Sequence, residues 1–190
     1  ITGFGRLGYA FAAERFGVIP DIMTFGKAIG GGFPLAGIMA SDKLKEFEAG
    51  EDALTFGQFP VAMAAGVATL DAIIADNLCG KARDLGNYAT QRLHEISERR
   101  RLIGDIRGPG LFVSIELVKD RVTKEPSLKA SPEVYRRGLE KGVLFGESRY
   151  GGLGNLIKIK PPLDTSHEDM SFALDVLDDV LGSIEADGIA

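Results

Sequence analysis

The first third of the chain alternates short apolar runs with glycine-rich turns. Gly8 to Phe16 reads as a short apolar helix, stopped by Gly17 and by Pro20 beyond it. Ile22 to Phe25 reads as a strand buried on both faces, and Lys27 stands just past its C-terminal end. A second strand is expected from Leu35 to Met39. After it, Ser41 can cap a helix whose early acid, Asp42, suits the N-terminal dipole. Pro60 opens the next helix, and VAMAAGVATLDAII after it is apolar nearly all round, the pattern of a helix buried on most faces. Gly66 within it costs ~1 kcal/mol against alanine, so a close contact with another element is expected there.

The texture changes after about Asn77. Ala82, Leu85, Ala89, Leu93 and Ile96 recur at steps of three and four, which predicts a one-sided amphipathic helix. In IGDIRGPGLFVSIELV, a turn signal at Gly108, Pro109 and Gly110 precedes alternating apolar positions, the pattern of a strand solvated on one side. A charged loop, KDRVTKEPSLKASP, leads to a helix PEVYRRGLEKG, a strand Val143 to Phe145, a glycine-rich loop, and a strand NLIKIK closed by Pro161 and Pro162. Thr165 and Glu168 form a capping box ahead of the last helix, whose apolar face carries Met170, Ala173, Leu174, Leu177 and Leu181. The expected fold class is α/β in two parts, residues 1–77 and 78–190.

Composition narrows the function classes. Of the 190 residues, 45% are hydrophobic and 26% charged, enough for a packed globular core. The net charge of −5 is spread along the chain, so no nucleic-acid interface is expected. A single cysteine, Cys79, excludes an internal disulfide framework, fits a reducing compartment and is expected to pack as a small hydrophobe. No apolar run reaches the ~18 residues needed to cross a bilayer, and the first residues lack the regions of a signal peptide, so a cytoplasmic protein without a membrane partner is expected. Ile1 is not a methionine and a glycine-rich turn follows at once, so an upstream segment is expected.

Two glycine patterns invite nucleotide readings. GFGRLG, Gly3 to Gly8, matches G-x-G-x-x-G, but no strand feeds it, and Asp21 precedes a strand instead of ending one. FGKA lacks the hydroxyl residue and the upstream glycine of a phosphate loop. His94 and His167 have no ligand partner at i+4, so no metal site is expected. Lys27 remains. Most lysines at strand ends are solvated surface residues. Here the apolar run before it, the position beyond a strand C-terminus and the adjacent Gly30, Gly31 and Gly32 point to a partly desolvated amine, a nucleophile toward aldehydes. Lys27 is thus the candidate Schiff-base lysine.

With these residues in view, the chain resembles the C-terminal half of the class III, ω-type aminotransferases, fold-type-I enzymes that use pyridoxal 5′-phosphate. ITGFGR is similar to the end of that family's D-E-V-x-T-G-F-G-R segment, and FGVIPDIMTFGKAIGGGFPLAG to the strand and loop bearing the cofactor lysine. LTFGQFPVAMAAGVATLDAI resembles the T-F-G-G-N-P segment with its helix; GDIRGPGLFVSIELVKDRVTKEP and IKIKPPL resemble the C-terminal domain. The resemblance implies the end of a large cofactor domain followed by a small α/β domain. It also implies a homodimer with shared active sites, and amino transfer between an amine or amino acid and a keto acid or aldehyde.

By position, Lys27 would hold the cofactor and shuttle a proton at the substrate α-carbon. Thr55 would bind the cofactor phosphate of the neighbouring subunit, and Lys158 stands where relatives use an arginine for the substrate carboxylate. Arg149, in the glycine loop, is a second candidate for that contact. The aspartate that pairs the pyridine nitrogen in the family belongs about three residues before Ile1 and is outside this chain, so the chain alone is expected to show little catalysis. Gln58 and Phe59 alter the T-F-G-G-N-P motif. KIKPP is also similar to a phospholyase branch that eliminates phosphate from phosphorylated amines; an NAD-binding dehydrogenase and a non-catalytic α/β module are the alternatives from other classes.

Overall fold

A computed structural model describes residues 1–44, 47–51, 54–148 and 154–189. The chain divides into two compact units, Ile1–Gly80 and Lys81–Ala190.

In the first unit a tight turn around Gly3–Gly8 brings the Phe4 N–H to the Ala10 carbonyl at 2.6 Å. Phe4 and Gly5 take left-handed conformations and Gly8 has φ +84°, so the turn runs into the start of the predicted Gly8–Phe16 helix. Helix α1 is confined to Ala12–Arg15 because Phe11 ahead of it is extended. Strand β1, Ile22–Phe25, pairs antiparallel with β2, Gly37–Ala40. Gly37 faces Phe25 in register, and a Cβ there would lie 2.6 Å from the Phe25 ring, so glycine lets the ring cross its neighbour.

The burial expected for β1 is not found. With one neighbouring strand, β1 is covered on one face only, where Phe25 packs against the Phe4 ring, and Ile22 and Thr24 on the other face are exposed. The helix expected after Ser41 is likewise absent among the described residues, where Asp42 and Lys43 form a turn closed by the Leu44 N–H on the Ser41 carbonyl; the rest of that prediction falls partly on residues 45–46, outside the described residues.

Helix α2, Pro60–Ala75, starts on its proline as expected but buries only Ala62 and Gly66. Gly66 explains its own presence: a Cβ would sit 2.6 Å from Leu35 Cδ2 and 3.6 Å from the Ile29 carbonyl. The helix therefore rests by its glycine on the segment that follows β1.

Helix α3, Leu78–Arg99, leads into the second unit and buries Ala82, Leu85, Ala89, Leu93 and Ile96, the predicted stripe. Cys79 at its start is half-buried, less than its expected packing implies. Strand β3, Ile103–Arg107, pairs across the Gly-Pro-Gly turn with β4, Val113–Leu117, the strand predicted after that turn, in an antiparallel hairpin. Helix α4 spans Ala130–Glu140. The strand expected at Val143–Phe145 is displaced to β5, Gly146–Ser148, because Phe145 is drawn into the core and pairing starts only at Gly146.

Strand β6, Leu156–Ile159, completes an antiparallel sheet in the order β3-β4-β6-β5. Helix α5, His167–Ala186, is capped one residue later than predicted: Ser166, not Thr165, accepts the Asp169 N–H at 3.0 Å. On α5, Met170, Leu174, Leu177 and Leu181 are buried with the inward residues of the sheet, while Ala173 is half-buried. The core is reinforced at its rim, where Arg92 meets Asp175 at 2.7 Å and Arg100 meets Asp178 at 2.6 Å. Among the described residues no single helix is long and apolar enough to cross a membrane.

Candidate active site

Lys27 is the first residue of a short 3-10 turn, Lys27–Gly30, one residue beyond β1. Its φ of +59° lies in the left-handed region, which an ordinary side chain occupies at a cost of ~1–3 kcal/mol and which clusters at functional sites. The turn is locked from behind. Ile29 and Gly30 are buried, the Gly31 N–H bonds the Ala28 carbonyl at 3.1 Å, and the Phe33 N–H bonds the Gly30 carbonyl at 2.9 Å.

Gly31 and Gly32 follow with φ of +55° and +106°. A Cβ on Gly31 would come within 3.0 Å of Thr69 Oγ1, whereas one on Gly32 would meet nothing within 4 Å. The glycines thus serve two purposes: one admits α2, the other leaves open space. The Lys27 side chain is exposed and has no hydrogen bond or ion pair among the described residues. The partial desolvation that the sequence predicts for it is not supplied by the described residues of this unit.

Thr55 lies in the loop before α2, also exposed, with no hydrogen bond to its hydroxyl among the described residues. It lines two open clefts of the first unit, of about 390 Å³ and 850 Å³, with Leu54, Phe56, Gly57 and Phe59 common to both. Neither of these two clefts includes Lys27. GFGRLG is a turn followed by only a four-residue helix, so it lacks the helix N-terminus a pyrophosphate requires.

Lys158 is in β6, half-buried, on the sheet face opposite the core, since Ile157 and Ile159 beside it point inward. It lines a cleft of about 870 Å³ in the second unit together with Gly146, Lys160, Pro161 and Phe172. Arg149 lies outside the described residues. On the same sheet face Arg107 donates to Glu116 at 2.8 Å and to Asp105, and these bonds raise its guanidinium above its ordinary value. Lys158 has no such partner among the described residues, while Lys160 lies 5.5 Å over the Phe112 ring.

A model of class-III aminotransferases matches residues 1–181. The chain belongs to the class-III aminotransferase family. Among its relatives, the acetylornithine aminotransferase of Caldanaerobacter subterraneus subsp. tengcongensis is 36% identical over 183 residues, which are 96% of this chain and 43% of that protein. A leucine/methionine racemase of Thermococcus litoralis is 36% identical, covering 97% of this chain and 41% of its own length. In three dimensions the chain is similar to a Bacillus anthracis aminotransferase, with a TM-score of 0.90 at 33% identity over 97% of this chain and 43% of the other. This class-III chain therefore spans less than half the length of the relatives it matches. The fold is that of the corresponding part of a transaminase.

Proposed function

We propose that this chain supplies the lysine-bearing and small-domain parts of a pyridoxal-phosphate-dependent aminotransferase that moves an amino group between an amine or amino acid and a keto acid or aldehyde. The observation that carries the reading is Lys27. Its amine is unpaired among the described residues, its backbone is strained, and it follows a strand C-terminus in the segment that carries Gly32, around which a Cβ would meet nothing within 4 Å.

The residues present fit the cofactor chemically: Lys27 offers a primary amine for an aldehyde, and Thr55 a hydroxyl with no bond among the described residues for a phosphate oxygen. When bound, pyridoxal 5′-phosphate supplies the aldehyde and the electron-withdrawing ring that stabilises charge at the substrate α-carbon. Lys27 would hold the cofactor through Nζ and, once released, take and return the proton of the substrate α-carbon. Thr55 would bind the phosphate of a neighbouring subunit's cofactor with its exposed hydroxyl, which borders open clefts of the first unit. That arrangement requires a homodimer with shared sites. Lys158 would hold the substrate's anionic group as a point charge, less directional than an arginine fork.

In the full-length protein, Lys27→Ala is expected to reduce turnover by at least about 10²–10⁴-fold. Borohydride reduction followed by peptide mass mapping should place the cofactor on Lys27 in the unmodified protein. A variant that retains full turnover, or a label on another lysine, overturns the reading. Because racemases are among the relatives, the assay should follow both amino transfer and loss of α-carbon configuration, which the same lysine could serve. Release of inorganic phosphate from a phosphorylated amine would favour the phospholyase reading.

A further inference from the structure

Gly146 occupies an edge strand with no bulge in its pairing to β6, and its φ lies outside the left-handed region. Nothing in the backbone calls for glycine there. A glycine inside a regular strand weakens it and commonly marks a place where another group approaches closely. The group opposite Gly146 in register is Lys158. A Cβ at position 146 would lie 3.2 Å from Lys158 Cβ and 3.1 Å from the Lys158 carbonyl, so any side chain would press on the lysine stem. Both residues line the same cleft.

The other flank of Lys158 is also small. Ser114 is its partner on β4, and Ser114 in turn pairs with Arg107. Across the open face the row therefore reads Arg107, Ser114, Lys158, Gly146. Arg107 is neutralised by Asp105 and Glu116, whereas no carboxylate flanks Lys158 in its row. Glu147 and Asp169 also line the cleft, but neither is bonded to Lys158 among the described residues, so this half-buried cation with small neighbours on both sides keeps the room to admit an anion.

We infer that Gly146 is a specificity-determining residue: its missing side chain keeps the space over the Lys158 stem in which the anionic head group of a substrate, a carboxylate or a phosphate, meets the ammonium. This rests on the proposed role of Lys158 and adds a residue that sets how well that role is performed.

The test uses the cofactor-loaded full-length protein with Gly146→Ala, Gly146→Val and Lys158→Gln. Calorimetric titration with inorganic phosphate and, separately, with butanoate reads head-group binding without turnover. Steady-state kinetics then compare an amino donor bearing an anionic group with an uncharged primary amine. Gly146→Val is expected to raise the Kd of the preferred probe and the KM of the anionic donor at least about tenfold, leaving kcat and the uncharged amine within about twofold, with Gly146→Ala intermediate. Whichever probe weakens identifies the head group.

If Lys158→Gln loses probe binding and Gly146→Val does not, the role of Gly146 is refuted while that of Lys158 stands. If Lys158→Gln binds both probes like the parent protein, the Lys158 reading fails and the inference falls with it. Should the valine variant melt early, the alanine variant decides: an unchanged Kd and an unchanged ratio of KM values overturn the proposal.

Discussion

The two units of this chain treat apolar helices in opposite ways. In the second, Leu174, Leu177 and Leu181 of α5 are fully buried against the sheet and its neighbouring helices. In the first, α2 is at least as apolar along its length, yet Val67 is 60% exposed and Ile74 76% exposed. Most helical stability in proteins comes from packing a face against other elements, so α5 is held by the surface it meets while α2 has little such support among the described residues of its unit. The second unit contains that surface within its own sequence. The first has a two-stranded ribbon and a handful of turns with which to cover a helix of 16 residues. Strained Lys27 lies in this less covered unit, consistent with a site completed by further protein.

The contrast can be broken most directly by separating the parts. Expressed alone, residues 78–190 should show one cooperative urea transition, whereas residues 1–77 should bind a hydrophobic dye and unfold without cooperativity; equal behaviour would end the distinction. Point changes give the next largest effect. Leu177→Ala is expected to cost about 2–5 kcal/mol in denaturant titrations of the chain, and Ile74→Ala no more than about 0.5 kcal/mol. A large cost at Ile74 would show that α2 is covered after all.

Within the first unit the exception is Gly66, which presses on Leu35 and Ile29. Gly66→Ala should destabilise that contact by about 1–3 kcal/mol despite the better helix propensity of alanine, read as a lower melting temperature. A rise would mean that Leu35 gives way freely.

The smallest effect is electrostatic. Hydrogen bonds from Arg136 and then Arg137 hold the Glu133 carboxylate down at about 2, below its unfolded value. A depressed carboxylate contributes stability above its unfolded pKa and loses it as pH falls through the folded one. Stability of the second unit should therefore decline between about pH 4.5 and pH 2, and Glu133→Gln should flatten that decline by less than about 1 kcal/mol, since the group is partly solvated. An unchanged slope would assign the decline to other acids, Asp178 first among them. Burial pushes its carboxyl up, but hydrogen bonds from Arg99 and Arg100 outweigh this and leave it below the ordinary range.

Much of the fold was legible where one element meets one face. The stripe from Ala82 to Ile96, the alternation of Val113 to Leu117 and the proline start of α2 each follow from a local period, and each element stands where it was expected. Boundaries decided by competition were missed. Ser166 rather than Thr165 caps α5 because two adjacent hydroxyls compete and only geometry selects one. The sequence predicts a strand residue at Phe145, but the core claims its ring and pairing begins at Gly146. Of the candidate site, Lys27, Thr55 and Lys158 could be named from motif position, while the strain at Lys27 carries no signal except its glycine neighbours. The pairing of Gly146 with Lys158 joins residues twelve apart through a register that no local pattern records.

What this sequence determined by itself is the strongly periodic helices and strands, the family they belong to and the lysine offered as a nucleophile, because periodicity and motif spacing are local. What only the tertiary structure decided is which apolar faces are covered, which cation lacks a carboxylate and which glycine makes room for another group. Those are properties of long-range pairing and of surface area withheld from water, and neither exists until the chain has folded.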